Sequence, residues 1–167
     1  MKKSNQKKET SYEGYIPFDL YNTNEKKLFN SILILNDGSH FLGTSFGSKK
    51  RSLGEICFNT SLTGYQEIIT DPSYAGQIVT FTFPHIGNIG SNNSDNEGKT
   101  QSIAGIVVRQ RPTSPSNWRS QKSFADWLVS NNIPGISGID TRLLTKTIRK
   151  YKSCNAMICY EKNGNFN

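Results

Sequence analysis

The run Gln77-Ile78-Val79-Thr80-Phe81-Thr82-Phe83 restricts the possible folds of this chain more than any other stretch. Side chains alternate across a strand with a period of two. Val79, Phe81 and Phe83 therefore share one face, with Thr80 and Thr82 on the other. Such a strand has to bury its apolar face against further elements. Upstream, Ile32-Leu33-Ile34-Leu35 is a short continuous apolar run, as expected of a strand covered on both faces. Asn36-Asp37-Gly38 and then His40-Phe41-Leu42-Gly43 follow it. That is a hairpin signal, because Asn, Asp and Gly tolerate positive φ. Glu55-Ile56-Cys57-Phe58-Asn59, the run from Ile103 to Val108 and Ala156 to Tyr160 read as further strands. Lys49-Lys50-Arg51 is expected at an exposed hairpin tip.

The helices are short. Thr63-Gly64-Tyr65-Gln66 has the spacing of a capping box, in which the Thr hydroxyl and the Gln side chain each satisfy a backbone N–H. The helix it starts runs from Gly64 to about Ile69, and Asp71-Pro72 ends it. Phe124, Trp127 and Leu128 fall on one helical face, stopped by Asn131, Asn132 and Pro134. Ile136 to Ile139 forms a strand-like link. Asp140 is then an N-cap for a helix from Thr141 to about Lys150, with Leu144, Ile148 and Tyr151 facing inward. The expectation is a mixed α/β fold. Residues 31–160 form one domain with a mostly β core and two or three short helices. Residues 1–30 are polar and expected to be a loosely ordered extension, and 161–167 a frayed tail.

The chemistry visible in the residues is mostly negative. Three cysteines (Cys57, Cys154, Cys159) and two histidines (His40, His85) show no metal-ligand spacing, and the thiols read as free and reduced. No phosphate loop, dinucleotide fingerprint or nucleophile elbow occurs. Gly87-Asn88-Ile89-Gly90 is glycine-rich but lacks a lysine and a following helix. Glu55, Glu67 and Asp71 each have a local structural reading, and nothing pairs Cys57 with His85. No run reaches the ~18 apolar residues of a membrane span, and the start lacks a secretory core. The chain is expected to be cytoplasmic, without membrane or nucleic-acid partners. The net charge of +7 leaves a basic nucleic-acid-binding domain as an alternative, through the helix from Thr141 to Lys150. The residues alone favour binding or assembly, with a catalytically silent module as the other alternative.

Six stretches carry a resemblance. They are Gly54-Glu55 with Phe58-Asn59-Thr60, Thr63 to Ile68, Thr70-Asp71-Pro72-Ser73-Tyr74, Gln77 to Thr80, Pro84-His85-Ile86-Gly87-Asn88, and Gly138-Ile139-Asp140-Thr141-Arg142. In this order and register they resemble the N-terminal domain of the small subunit of glutamine-hydrolysing carbamoyl phosphate synthetase. The resemblance implies a swivelling-type β/β/α domain and a place in a heteromeric ligase of arginine and pyrimidine biosynthesis. The implied partners are the large subunit, which uses ATP and Mg, and a glutamine amidotransferase domain with a Cys-His-Glu triad. L-glutamine is the implied ligand, contacted here by Ser73. A serine hydroxyl suits that role because it both donates and accepts. No cofactor and no catalytic or metal residue is expected on this chain. The triad lies outside its 167 residues, so the chain alone is expected to be inactive, as a truncated or split form would be.

Overall fold

The alternating and apolar runs form seven strands: β1 (Ser31–Leu35), β2 (His40–Gly47), β3 (Ser52–Asn59), β4 (Gln77–Phe81), β5 (Gly105–Val107), β6 (Pro134–Ser137) and β7 (Asn155–Tyr160). Three helices, α1 (Tyr65–Thr70), α2 (Phe124–Ser130) and α3 (Thr141–Ile148), accompany them. The computed structural model describes residues 29–98, 103–151 and 154–166. Most of the expected loose extension, residues 1–28, lies outside the described residues. The strands close into a barrel in the order β1-β2-β6-β5-β4-β3-β7, with β7 pairing back onto β1. Strands β3 to β6 are mutually parallel, and the remaining pairs are antiparallel. The mostly β core with short helices agrees with the expectation; closure of the sheet is the added feature.

Closure gives every strand an inside and an outside, and the period of two sorts the apolar residues between them. Leu33, Leu35, Ile56, Ile78, Val107, Ile136 and Ile158 cluster within the barrel, joined by Leu144 and Ile148 of α3. Val79, Phe81, Ile106 and Val108 point outward and pack with Tyr65 and Ile69 of α1 and Phe124, Trp127 and Leu128 of α2. Phe83 joins that second cluster, as the alternation requires. The α3 N-cap forms as expected, with the Asp140 carboxylate accepting from the Leu143 N–H at 3.0 Å.

Thr80 belongs to the inward face of β4. It is wholly buried, and its hydroxyl finds no partner among the described residues. An unpaired buried hydroxyl costs about 1–3 kcal/mol. Thr80→Val keeps the shape and removes the orphan, so it is expected to raise stability by roughly 1 kcal/mol in urea unfolding. A loss of stability would contradict this reading of the site.

One connection and one helix end differ from expectation. Lys49-Lys50-Arg51 is not a hairpin tip: β2 pairs with β1 and β6, whereas β3 pairs with β4 and β7. The segment crosses between strands that are not neighbours, and Lys49 Nζ lies 5.5 Å from the centre of the Tyr160 ring. Tyr151 does not face the core, and α3 ends at Ile148 rather than Lys150. The tyrosine hydroxyl instead donates to the Asp37 carboxylate, and this bond is the main cause holding that carboxyl below its usual value.

Candidate functional site

The site is built where β3 hands over to α1 and α1 to β4. Gly64 sits before α1 at φ 76°, a left-handed conformation natural to glycine, and no side chain caps the helix. The expected capping box between Thr63 and Gln66 is therefore not formed. Gln66, only 3% exposed, is engaged elsewhere. Its Oε1 accepts from the Asn92 N–H at 3.0 Å, and its Nε2 donates to the Asn92 carbonyl and, at 2.7 Å, to Asn96 Oδ1. Thr70 repeats the pattern: its hydroxyl donates to the Gln66 carbonyl and accepts from the Glu97 N–H, both at 2.9 Å. A two-turn helix is too short to persist unaided. The 92–97 loop, tied to it by side chains, supplies the missing restraint.

Tyr65 fixes the other side of α1 by donating to the Gly90 carbonyl at 2.9 Å. Burial pushes its phenol up to about 12. The unfolded phenol ionises near about 10, so between those values only the unfolded state releases the proton. This contribution is complete below about pH 10 and is lost as pH rises through the folded value. The stability gap between wild type and Tyr65→Phe is expected to narrow by roughly 2 kcal/mol from about pH 9 to about pH 12. Urea unfolding across that range checks it, and a constant gap would refute it.

Beyond α1, Pro72–Tyr74 makes a single 3₁₀ turn capped by Asp71, whose carboxylate accepts from the Ser73 N–H at 2.8 Å. The Ser73 amide, and then its hydroxyl, hold the Asp71 carboxyl below its ordinary value. Tyr74 is anchored to β3, with Asn59 Nδ2 donating to its hydroxyl at 3.0 Å. The turn is thus pinned from both ends while Ser73 itself is exposed.

The other sequence candidates do not assemble into a catalytic centre. Cys57 packs against the outer cluster, and burial pushes its thiol up to about 11. At that value only about one thiol in ten thousand is ionised at neutral pH. No hydrogen bond joins Cys57 to His85, which instead meets Phe83 edge-on at 6.0 Å. The Gly87–Gly90 loop is occupied by protein: the Ser116 N–H donates to the Asn88 carbonyl at 2.9 Å, and Gly90 lies against Ser120. Among the described residues no group of three His, Cys, Asp or Glu side chains could hold a metal ion. The sequence reading missed a polar cleft of about 470 Å³ between the 91–96 loop, residues 121–122 and the end of α2. Its walls come from segments thirty residues apart. The asparagine-rich loop was the one signal, and it reads locally as an ordinary turn.

A family model described as the carbamoyl-phosphate synthase small chain, CPSase domain, matches residues 33–158. The chain belongs to the carbamoyl-phosphate synthase small chain family. Small chains of that name are similar over most of its length. The one from Listeria monocytogenes serotype 4b (strain F2365) is 51% identical over 130 residues, covering 78% of this chain and 36% of the relative. That of Buchnera aphidicola subsp. Schizaphis graminum (strain Sg) is 52% identical over 136 residues, covering 81% and 35%. That of Bradyrhizobium diazoefficiens is 48% identical over 140 residues, covering 81% and 35%. The chain spans about a third of the length of the curated relatives it matches. All six motif stretches, including the Asp71–Tyr74 turn, fall within the matched part of the small-chain domain. No helix among the described residues is long and apolar enough to cross a membrane.

Proposed function

We propose that this chain serves as the N-terminal part of the small subunit of a cytoplasmic glutamine-hydrolysing carbamoyl phosphate synthetase. It completes the glutamine site with Ser73 and packs against the large subunit. The observation that carries this reading is the exposed, doubly anchored Asp71-Pro72-Ser73-Tyr74 turn within a domain of the small-chain family. The Cys57 thiol, pushed up by burial and packed against the outer cluster, is poorly suited to act as a nucleophile. Chemistry at the glutamine amide belongs to the Cys-His-Glu triad of an amidotransferase domain. The ammonia released there passes to the large subunit, where ATP and Mg drive carbamoyl phosphate formation for arginine and pyrimidine synthesis.

What Ser73 adds is binding and orientation. Its hydroxyl can donate to the substrate's carboxylate or accept from its ammonium. A neutral hydrogen bond contributes about 0.5–1.5 kcal/mol, so Ser73→Ala is expected to raise the KM for glutamine roughly two- to tenfold. Synthesis from free ammonia should be unchanged, because that route bypasses the glutamine site. The test mixes this chain with an amidotransferase domain and a large subunit and compares glutamine- with ammonia-dependent carbamoyl phosphate formation. Added chain that neither co-purifies with the other components nor raises the glutamine-dependent rate would refute the proposal. An unchanged KM in Ser73→Ala would remove Ser73 from the site.

A further inference from the structure

We infer that the polar cleft beside α2 is a binding site for a small organic anion, held through carboxylate or phosphate oxygens. The direction of its amide groups follows from backbone atoms that leave no choice. The Asn92 N–H must meet an acceptor, which fixes Gln66 with Oε1 towards it and Nε2 towards Asn96. Asn96 must therefore present Oδ1 to Gln66, leaving its NH₂ group without a partner among the described residues. In the same way the Asn93 N–H donates to Gln121 Oε1 at 3.2 Å, which leaves the Gln121 NH₂ without an acceptor among the described residues. Two lining amides thus have their acceptors engaged and their donors open among the described residues.

Two further residues that line the cleft carry donors. Trp127 lines the cleft and is only 7% exposed, yet its indole N–H donates to nothing among the described residues. The sole fully buried side-chain N or O atom without a partner there is Thr80 Oγ1, so the indole N–H opens to solvent. Burying most of an indole while leaving its N–H unpaired is unusual, because Trp N–H groups ordinarily find an acceptor when buried. Lys122 lies on the rim and makes no ion pair; the one ion pair among the described residues joins Arg119 to Asp95.

Four donor groups without a protein acceptor among the described residues, one of them cationic, stand in a cleft whose lining holds no carboxylate, and the cation beside them favours an oxyanion over a neutral ligand. Charge-assisted bonds from ammonium and N–H groups to such oxygens are the stronger class of hydrogen bond. A space of about 470 Å³ lies within the ~300–1,000 Å³ typical of small-molecule sites, which leaves room for a carbon skeleton beside the charged group.

Trp127 provides its own reporter. Trp118 is 91% exposed, so Trp118→Phe removes the competing indole signal from the full chain with little effect on the fold. In that background the ¹⁵N-labelled indole of Trp127 is followed by NMR. Inorganic phosphate, glycerol 3-phosphate and succinate are titrated at constant ionic strength, with glycerol as the neutral control. The expected result is a saturable shift of the Trp127 N–H with at least one oxyanion. Saturation by the two phosphates alone identifies a phosphate site, and by succinate alone a carboxylate site. Lys122→Gln is expected to weaken the binding roughly tenfold or more, through loss of a charge-assisted bond. The inference is overturned if no oxyanion gives saturation up to about 50 mM, beyond the weak end of specific affinity. It is equally overturned if glycerol alone shifts the signal, or if Lys122→Gln binds as tightly as the parent.

Discussion

Phe81→Ala is expected to destabilise the domain by about 3–5 kcal/mol, the usual cost of emptying a buried phenylalanine site. Phe81 is 1% exposed at the end of β4 and sits in the outer cluster that joins the barrel to both α1 and α2. Its ring therefore supports two layers at once. Against a total stability of about 5–15 kcal/mol, a loss of this size leaves a marginal fold. Urea unfolding should show a lowered midpoint with little change in slope. A loss below about 1 kcal/mol would mean that the cluster repacks and that Phe81 is not a keystone.

Gly54→Ala is expected to act on both stability and the Ser73 turn. Gly54 lies in β3, and a Cβ added there would meet the Gly76 carbonyl oxygen and approach the Ala104 side chain to 3.0 Å. The first obstacle is backbone, which cannot rotate aside as a side-chain tip can. Overpacking of this kind costs about 1–3 kcal/mol. The segment that has to give is the link between Tyr74 and Gln77, directly behind the exposed serine. The variant is thus expected to combine a lowered unfolding midpoint with a raised KM for glutamine in the reconstituted enzyme. A midpoint drop with an unaltered KM would separate the scaffold from the turn.

Much of the fold was legible because its signals are local. The alternating strand from Gln77, which ends at Phe81 rather than Phe83, the Asp140 cap and the Phe124-Trp127-Leu128 face each depend on neighbours within a few residues, and each is present. The misreadings share the opposite property. Gln66 has the right spacing for a capping box, but a loop about 30 residues away outbids the helix end for its amide. Tyr151 continues the apolar face of α3 in sequence, yet Asp37, 114 residues distant, takes its hydroxyl. Lys49-Lys50-Arg51 looks like a hairpin tip because consecutive strands usually pair, and here closure of the barrel assigns β2 and β3 to other neighbours. The Ser73 turn could be read from its Asp-Pro dipeptide. The cleft could not, because no local pattern announces that walls from residues 91–96 and 121–131 will meet.

The position of β7 has a consequence for how the chain reaches this structure. The last strand in sequence is inserted between β1 and β3, so Ile32 pairs with Cys159 across almost the whole domain. Pairings this distant delay the closing step, since a long loop has to be ordered before the contact forms. During synthesis the free sides of β1 and β3 stay unsatisfied until Tyr160 has emerged. They are then open templates for another chain. The ring seals late, and nascent chains that stall before β7 are the ones a chaperone would be called on to shield.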